Sequence, residues 1–262
     1  MDTYIIHEGK LPREIKADYE PAIFNTLSFS ALQDPLHWLS YYLIDQEKKT
    51  AAAGIHFHVS DGVASSPFRA PFGSVECSDK IKPASLYRFL EYIQADLKQK
   101  GVSEIHIKNP PRAYFPENGA LLEMFLLNQN FTVSDSQITA VIPITDAPFA
   151  EGIRRSQKLR MRQAEKAKFT FRNVPLAKIE EVYQFISRCH SDKGYKLSIS
   201  LQDLQKTATA FGDRYLLFGI YDGEKMVAAS VSIRVYSHIL YNFLINHEKQ
   251  YNSLSPDRKS VV

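Results

Sequence analysis

Asp45-Gln46-Glu47-Lys48, leading into Ala52-Ala53-Gly54-Ile55-His56-Phe57-His58-Val59, returns later in the chain as Asp222-Gly223-Glu224-Lys225 leading into Ala228-Ala229-Ser230-Val231-Ser232-Ile233-Arg234-Val235. Each copy reads as a polar turn between two strands. Residues 38–44 and 51–59 flank the first turn and residues 215–221 and 226–236 the second, with Ile55, Phe57 and Val59 alternating as strand residues do. A gap of one residue aligns the copies. Turns rich in Asp, Gly and Lys join many unrelated hairpins, so chance repetition is the competing explanation. A repeat this long indicates duplicated domains, not a solenoid.

Working outward, the elements fall into the same order twice. After the loop Ser65-Ser66-Pro67, residues 83–100 carry Leu86, Phe89, Leu90, Ile93 and Leu97 at helical spacing, with Lys82-Pro83 as the start and Gly101 as the stop. A strand at 103–108, a helix at 118–128 and one long or two short strands across 131–144 complete the first half. The second half opens with a basic helix within 147–168. A strand at 169–174, helices at 177–190 and 201–211, and three hairpin-linked strands ending at 239–245 follow. The predicted architecture is α/β (α+β): two tandem domains, residues 1–146 and 147–262, each a mixed, largely antiparallel sheet flanked by helices. The first half continues with further elements past its long helix, whereas the second stops at Val262, so the C-terminal part of the second domain is expected to be missing.

The chain has 262 residues, 44% hydrophobic and 23% charged, the balance of a chain that buries a core, which excludes bulk disorder. No basic segment followed by an apolar run opens it, and no stretch is apolar enough to span a bilayer. Cys77 and Cys189 have no partner at metal or redox spacing, which fits a reducing compartment; a cytoplasmic location is expected. A net charge of +3 is too small to argue nucleic-acid binding from the whole chain, so an anionic partner must come from a local cluster.

Three features together resemble the FemAB-like branch of the GNAT superfamily of acyltransferases, whose members carry two GNAT-type domains in one chain. They are the basic segment Ile153-Arg154-Arg155-Ser156-Gln157-Lys158-Leu159-Arg160-Met161-Arg162-Gln163-Ala164-Glu165-Lys166-Ala167, the hairpin running from Phe218 through Asp222-Gly223-Glu224-Lys225 to Ser230, and Tyr251-Asn252-Ser253-Leu254-Ser255-Pro256-Asp257-Arg258-Lys259. The resemblance implies two tandem GNAT-like domains and transfer of an acyl or aminoacyl group, from acyl-CoA or aminoacyl-tRNA as co-substrate, to an amine of a cell-envelope precursor or similar small-molecule acceptor. No tightly bound cofactor is implied. Two departures stand out: Asp257 where the family often has glycine, and Ser74-Val75-Glu76-Cys77-Ser78-Asp79, acidic and without glycine, where the first half would need a phosphate loop.

In such chemistry the protein aligns two substrates, removes a proton and stabilises an oxyanion with backbone donors. Ser255, Arg258, Lys259 and Ser260 sit where donor phosphates would meet a helix start, or form a plain polar loop. Arg154, Lys158, Arg162 and Lys166 recur every four residues, one basic strip that suits a phosphate backbone such as tRNA, or a solvated face paired with Glu165. Tyr241, Asn242 and His247 lie on or after the strand leading to the Ser-Pro loop and suit orientation of an amine or proton transfer; a strand tyrosine is more often simply packed. Arg69, in a loop of turn formers, suits an acceptor carboxylate or phosphate, the acceptor being expected between the halves near Arg69 and Tyr241. His56 and His58 share a strand face, but a third ligand at useful spacing is absent, so no metal is expected. The rival reading is a non-catalytic GNAT-fold module that binds an anionic partner through the basic strip.

Overall fold

The computed structural model describes residues 3–115 and 118–254. Its chain divides into two compact units between Val141 and Ile142. The first contains β1 (Tyr4–Glu8), β2 (Lys16–Ala17), α1 (Leu27–Gln33), β3 (Trp38–Asp45), β4 (Thr50–Ser60), β5 (Val63–Ser66), β6 (Glu76–Cys77), α2 (Pro83–Gln99), β7 (Glu104–Ile107) and α3 (Gly119–Asn128). Seven strands form one mixed sheet, ordered β1-β3-β4-β5-β7, with β2 and β6 paired to β4. Antiparallel pairing runs from β1 to β5, and β7 joins β5 in parallel, across α2 as the crossover.

Local sequence explains α2. Pro83 takes the first helical position, where a missing N–H costs nothing, and Gly101 ends the helix with φ 83°. Leu86, Phe89, Leu90, Ile93 and Leu97 form its inward stripe, all buried against Tyr41, Ile55 and Phe57 of the sheet. Burying each such side chain contributes about 1.5–3 kcal/mol.

The second unit contains α4 (Phe149–Gly152), α5 (Arg155–Lys166), β8 (Thr170–Val174), α6 (Ile179–Ser191), α7 (Leu201–Ala210), β9 (Tyr215–Asp222), β10 (Lys225–Tyr236) and β11 (Ile239–His247). Its sheet, β11-β10-β9-β8, is antiparallel throughout. Ile179, Val182, Phe185, Ile186 and Cys189 form the inward face of α6, while Glu180 and Glu181 in its first turn and Arg188 and His190 in its last complement the helix dipole. In α7, Ser200 caps the start by accepting from the Asp203 N–H at 3.0 Å.

The expected echo between the halves is present in the topology. The antiparallel order β1-β3-β4-β5 matches β8-β9-β10-β11, and the same irregularity follows each turn: Ala52 is the extra residue between Ala51 and Ala53, as Val227 is between Met226 and Ala228. Matching these bulges places Asp45 opposite Asp222. The first turn then holds residues 46–49 and the second residues 223–224, so the copies differ by two residues in the turn, not by one.

Several sequence expectations fail. Residues 131–145 form no strand: no described strand lies beside them, and Val133, Ile138 and Ile144 are 72%, 104% and 93% exposed. Strand propensity without a partner for its backbone groups does not make a strand. The basic stretch is two helices, α4 and α5, separated where Gly152 ends the first and Arg154 turns extended (ψ 155°) as the N-cap of the second. Ser65 and Ser66 lie in β5 instead of a loop. Strand β1 and helix α1 are additions that the sequence reading did not contain.

Candidate functional site

Strand β11 carries the densest set of predicted residues, and its register decides where they point. Val231 pairs with Leu244 and Ser232 with Asn242, which leaves Phe243 as an extra residue with no partner on β10. Such a bulge bends the strand, leaves a peptide outside the ladder and re-aims the neighbouring side chains. Tyr241, upstream of it, and Phe243, the bulged residue, are half-buried with rings 6.3 Å apart; downstream Leu244 and Asn246 become the buried positions. The bulge therefore switches which alternate residues face inward.

Tyr241 is half-buried, and desolvation raises its phenol above the ordinary value, so it stays protonated at neutral pH and can donate. Asn242 is exposed but tethered, its Oδ1 accepting from the fully buried Ser232 hydroxyl at 2.7 Å. His247 closes the strand, its Nε2 lying 2.7 Å from Asn252 Oδ1 in the turn Lys249–Leu254. With Nε2 donating there, the basic electron pair of His247 sits on Nδ1. The side-chain hydrogen bonds of Asn242 and His247 thus lead to different partners. Tyr241, Asn242 and His247 share a strand and do not form a triad.

Sequence reasoning missed the best-ordered polar group beside them. Asn246, buried, accepts on Oδ1 from Lys193 Nζ at 2.6 Å and from the His247 backbone N–H at 2.9 Å. Its Nδ2 lies 2.8 Å from His190 Nδ1, which also lies 3.1 Å from the Ile186 carbonyl. Next to it Glu248 receives Lys225 Nζ at 2.7 Å and Arg188 at 3.2 Å; against the opposing effect of burial, the hydrogen bond from Lys225 holds its carboxyl below the ordinary value. These groups come from α6, β10 and β11, and no spacing in the chain signals their meeting.

Helix α5 presents Arg155, Arg160, Arg162 and Lys166 to solvent, with Arg154 exposed at its N-cap and Lys158 partly so. Among the described residues, Arg154, Lys158, Arg162, Lys166 and Glu165 make no ion pair, so the expected pairing with Glu165 is not formed. Like charges four apart oppose the helix by about 0.2–0.5 kcal/mol per pair. Ala164 is buried, and α5 lies along the turn Lys249–Leu254. Ser255, Arg258, Lys259 and Ser260 lie outside the described residues.

In the first unit Arg69 is exposed in the loop after β5 with φ 52°, a conformation uncommon for a side-chain-bearing residue. The loop is pinned at its far end: Gly73 N–H donates to Lys108 O at 2.9 Å, and the Ser74 hydroxyl to Asn109 Oδ1 at 2.6 Å. The acidic segment 74–79 is woven into the sheet, with Glu76 and Cys77 paired to Gly54 and Ala53, and Glu76 Oε1 accepts from the Ala22 N–H at 2.9 Å. Those peptides are spent on β4. Burial pushes the Cys77 thiol up to about 12 and raises that of Cys189, so neither is a nucleophile at neutral pH. A pocket lined by Val75, Cys77, Asn109, Arg112 and Asn118 contains none of the predicted site residues. Among the described residues no helix is long and apolar enough to cross a membrane.

No protein-family model matches the chain, and no curated protein matches it in sequence. Solved structures do. FemX aligns with 92% of this chain and 80% of its own length, at a TM-score of 0.65 and 8% sequence identity. The C-terminal domain (DUF2156) of a protein assigned as a lysylphosphatidylglycerol synthetase from Agrobacterium fabrum aligns with 78% of this chain and 59% of its own, at a TM-score of 0.41 and 8% identity, and that score carries no argument. The fold, two α/β units each with a sheet flanked by helices, is FemX-like.

Proposed function

We propose that the chain is a FemAB-like transferase of the GNAT superfamily, moving an acyl or aminoacyl group onto an amine of a cell-envelope precursor or similar acceptor. The FemX-like fold over 92% of the chain carries this reading. In the reaction the amine lone pair attacks the carbonyl carbon of an ester or thioester; a C–N bond forms, the C–O or C–S bond breaks, the amine loses a proton and the leaving group gains one. The bulge in β11 supplies a peptide outside the ladder, at Phe243, as donor to the developing oxyanion. Tyr241, kept protonated by burial, gives a proton to the leaving group. The proton of the amine passes to solvent: His247, six residues along the strand from Tyr241 at about 3.3 Å each, lies too far away to share its centre. Ser255, Arg258, Lys259 and Ser260, which follow the turn after β11, hold donor phosphates.

Among the described residues the strip Arg154, Lys158, Arg162 and Lys166 makes no ion pair, which supports aminoacyl-tRNA as donor over acyl-CoA, because an uncompensated basic strip suits an extended phosphate backbone. The same strip supports a second reading, a non-catalytic module for an anionic partner. Mass analysis of reactions with each donor and an amine acceptor separates the two. Product from either donor is expected, and Arg258→Ala with Lys259→Ala is expected to weaken donor binding. Salt-sensitive nucleic-acid binding without product from either donor leaves only the binding module.

A further inference from the structure

Asp34, His37 and His58 meet beside the N-terminal end of β3, where Asp34 Oδ2 lies 2.8 Å from His37 Nδ1 and 3.2 Å from His58 Nε2. The three donor atoms all lie within 4.8 Å of one another. Two of them were invisible as ligands in the sequence, because Asp34 and His37 stand more than twenty residues before His58. His56, two residues away on the same strand, does not take part: it is buried and bonded to the Ser40 hydroxyl at 2.8 Å.

We propose that Asp34, His37 and His58, all in the first unit, form a binding site for a borderline divalent transition-metal ion such as Zn²⁺. Bonds of about 2.0–2.1 Å in a tetrahedral array place donor atoms about 3.3–3.4 Å apart. The separations of 2.8 and 3.2 Å from Asp34 must open by about half an ångström and by a tenth or two, and the two imidazole nitrogens, within 4.8 Å of each other, are brought to the same spacing by rotation of the exposed His37 ring. Two imidazoles and one carboxylate suit this class of ion and not Mg²⁺ or Ca²⁺, which take oxygen ligands.

The surroundings hold the donors in place, as metal sites require. Phe68 stacks on the His58 ring at 3.7 Å and 8°, and Trp38 meets its edge at 5.5 Å. The Leu36 N–H donates to Asp34 Oδ1 at 2.8 Å, and Trp38 Nε1 donates to the Asp34 carbonyl at 2.7 Å. Side-chain exposure rises from 8% at His58 through 23% at Asp34 to 58% at His37, so the ion enters from the His37 side. The described residues supply three donors, which leaves a position for water or a ligand.

Co²⁺ titration of the full chain tests the site. Trp38 is the chain's only tryptophan and touches both Asp34 and His58, so one equivalent of Co²⁺ should quench its emission and bring d–d absorption, reversed by Zn²⁺ and not by Mg²⁺. His37→Ala, at an exposed position that leaves the fold intact, and Asp34→Asn should each weaken binding by about 100-fold or more, whereas His7→Ala, on β1 in register with Tyr42 and Gly54 and not with His58, should leave it unchanged. Absence of both signals up to millimolar Co²⁺, or binding that neither His37→Ala nor Asp34→Asn weakens, overturns the proposal.

Discussion

Lowering the pH from 7.5 to 5 should destabilise the first unit through one residue, His56. The ring is buried, its Nδ1 takes the Ser40 hydroxyl at 2.8 Å, and desolvation pushes its pKa down to about 4, opposed only by a hydrogen bond to the Asn25 backbone. In the unfolded chain the ordinary value near 6.5 returns. Between those values the unfolded chain binds a proton that the folded chain refuses, so stability falls as pH falls through 6.5 and stops falling near 4. With 6.5 and 4 as the two values, the loss between pH 7.5 and 5 is about 2 kcal/mol. Two depressed carboxyls of this unit act lower: against burial, hydrogen bonds from Lys48 to Asp45 and from Lys100 to Asp96 hold Asp45 and Asp96 below their ordinary value, and their contributions are lost only as pH falls below about 4. Denaturant unfolding followed by Trp38 emission reports this unit, because the chain has one tryptophan. His56→Gln keeps a donor and an acceptor but does not titrate, so its stability should fall about 2 kcal/mol less than that of the natural chain over the same interval. Parallel loss in the two proteins would falsify the assignment to His56, whatever the variant's stability at pH 7.5.

Ile186→Ala deletes a fully buried side chain from the inward face of α6 and should cost about 2–5 kcal/mol, read as lowered hydrogen-exchange protection of β10 and β11; a loss under about 1 kcal/mol refutes the packing described. Replacing Lys158 and Arg162 by Gln should reduce the slope of log Kd for tRNA against log salt by roughly 1.4–1.8, or about 0.7–0.9 per phosphate contact, and an unchanged slope removes the strip from the interface. Tyr241→Phe should lower kcat by about 100-fold or more with little change in KM, as expected for a lost proton donor; equal kcat in the two proteins excludes that role.

What could be read from the chain was what neighbours along it determine. The stripe Leu86, Phe89, Leu90, Ile93 and Leu97 with Pro83 and Gly101 marks α2 completely, since propensity, packing face and both ends lie within one segment. The two hairpins are equally local, and the bulges at Ala52 and Val227 show that the likeness runs deeper than shared turn residues. Strand β1 was not visible because its five residues gain a strand's identity only by pairing with residues 41–45. Residues 131–144 misled for the converse reason: apolar β-formers were present and a partner was not. The site divides the same way. Tyr241 and His247 could be placed on or beside a strand, but the extra residue Phe243 has no sequence signature, and the meeting of Asn246 with His190 and Lys193 depends on the packing of α6 against β11.

The transfer reaction itself is the most direct test. The full chain would be incubated with tRNA carrying a labelled aminoacyl group, and in parallel with labelled acyl-CoA, each with and without a cell-envelope amine precursor. The account predicts that label leaves one donor and appears on the amine as a new amide, only when chain and acceptor are both present, and that Tyr241→Phe slows the transfer. Label that stays on both donors, with acceptor saturating, contradicts it.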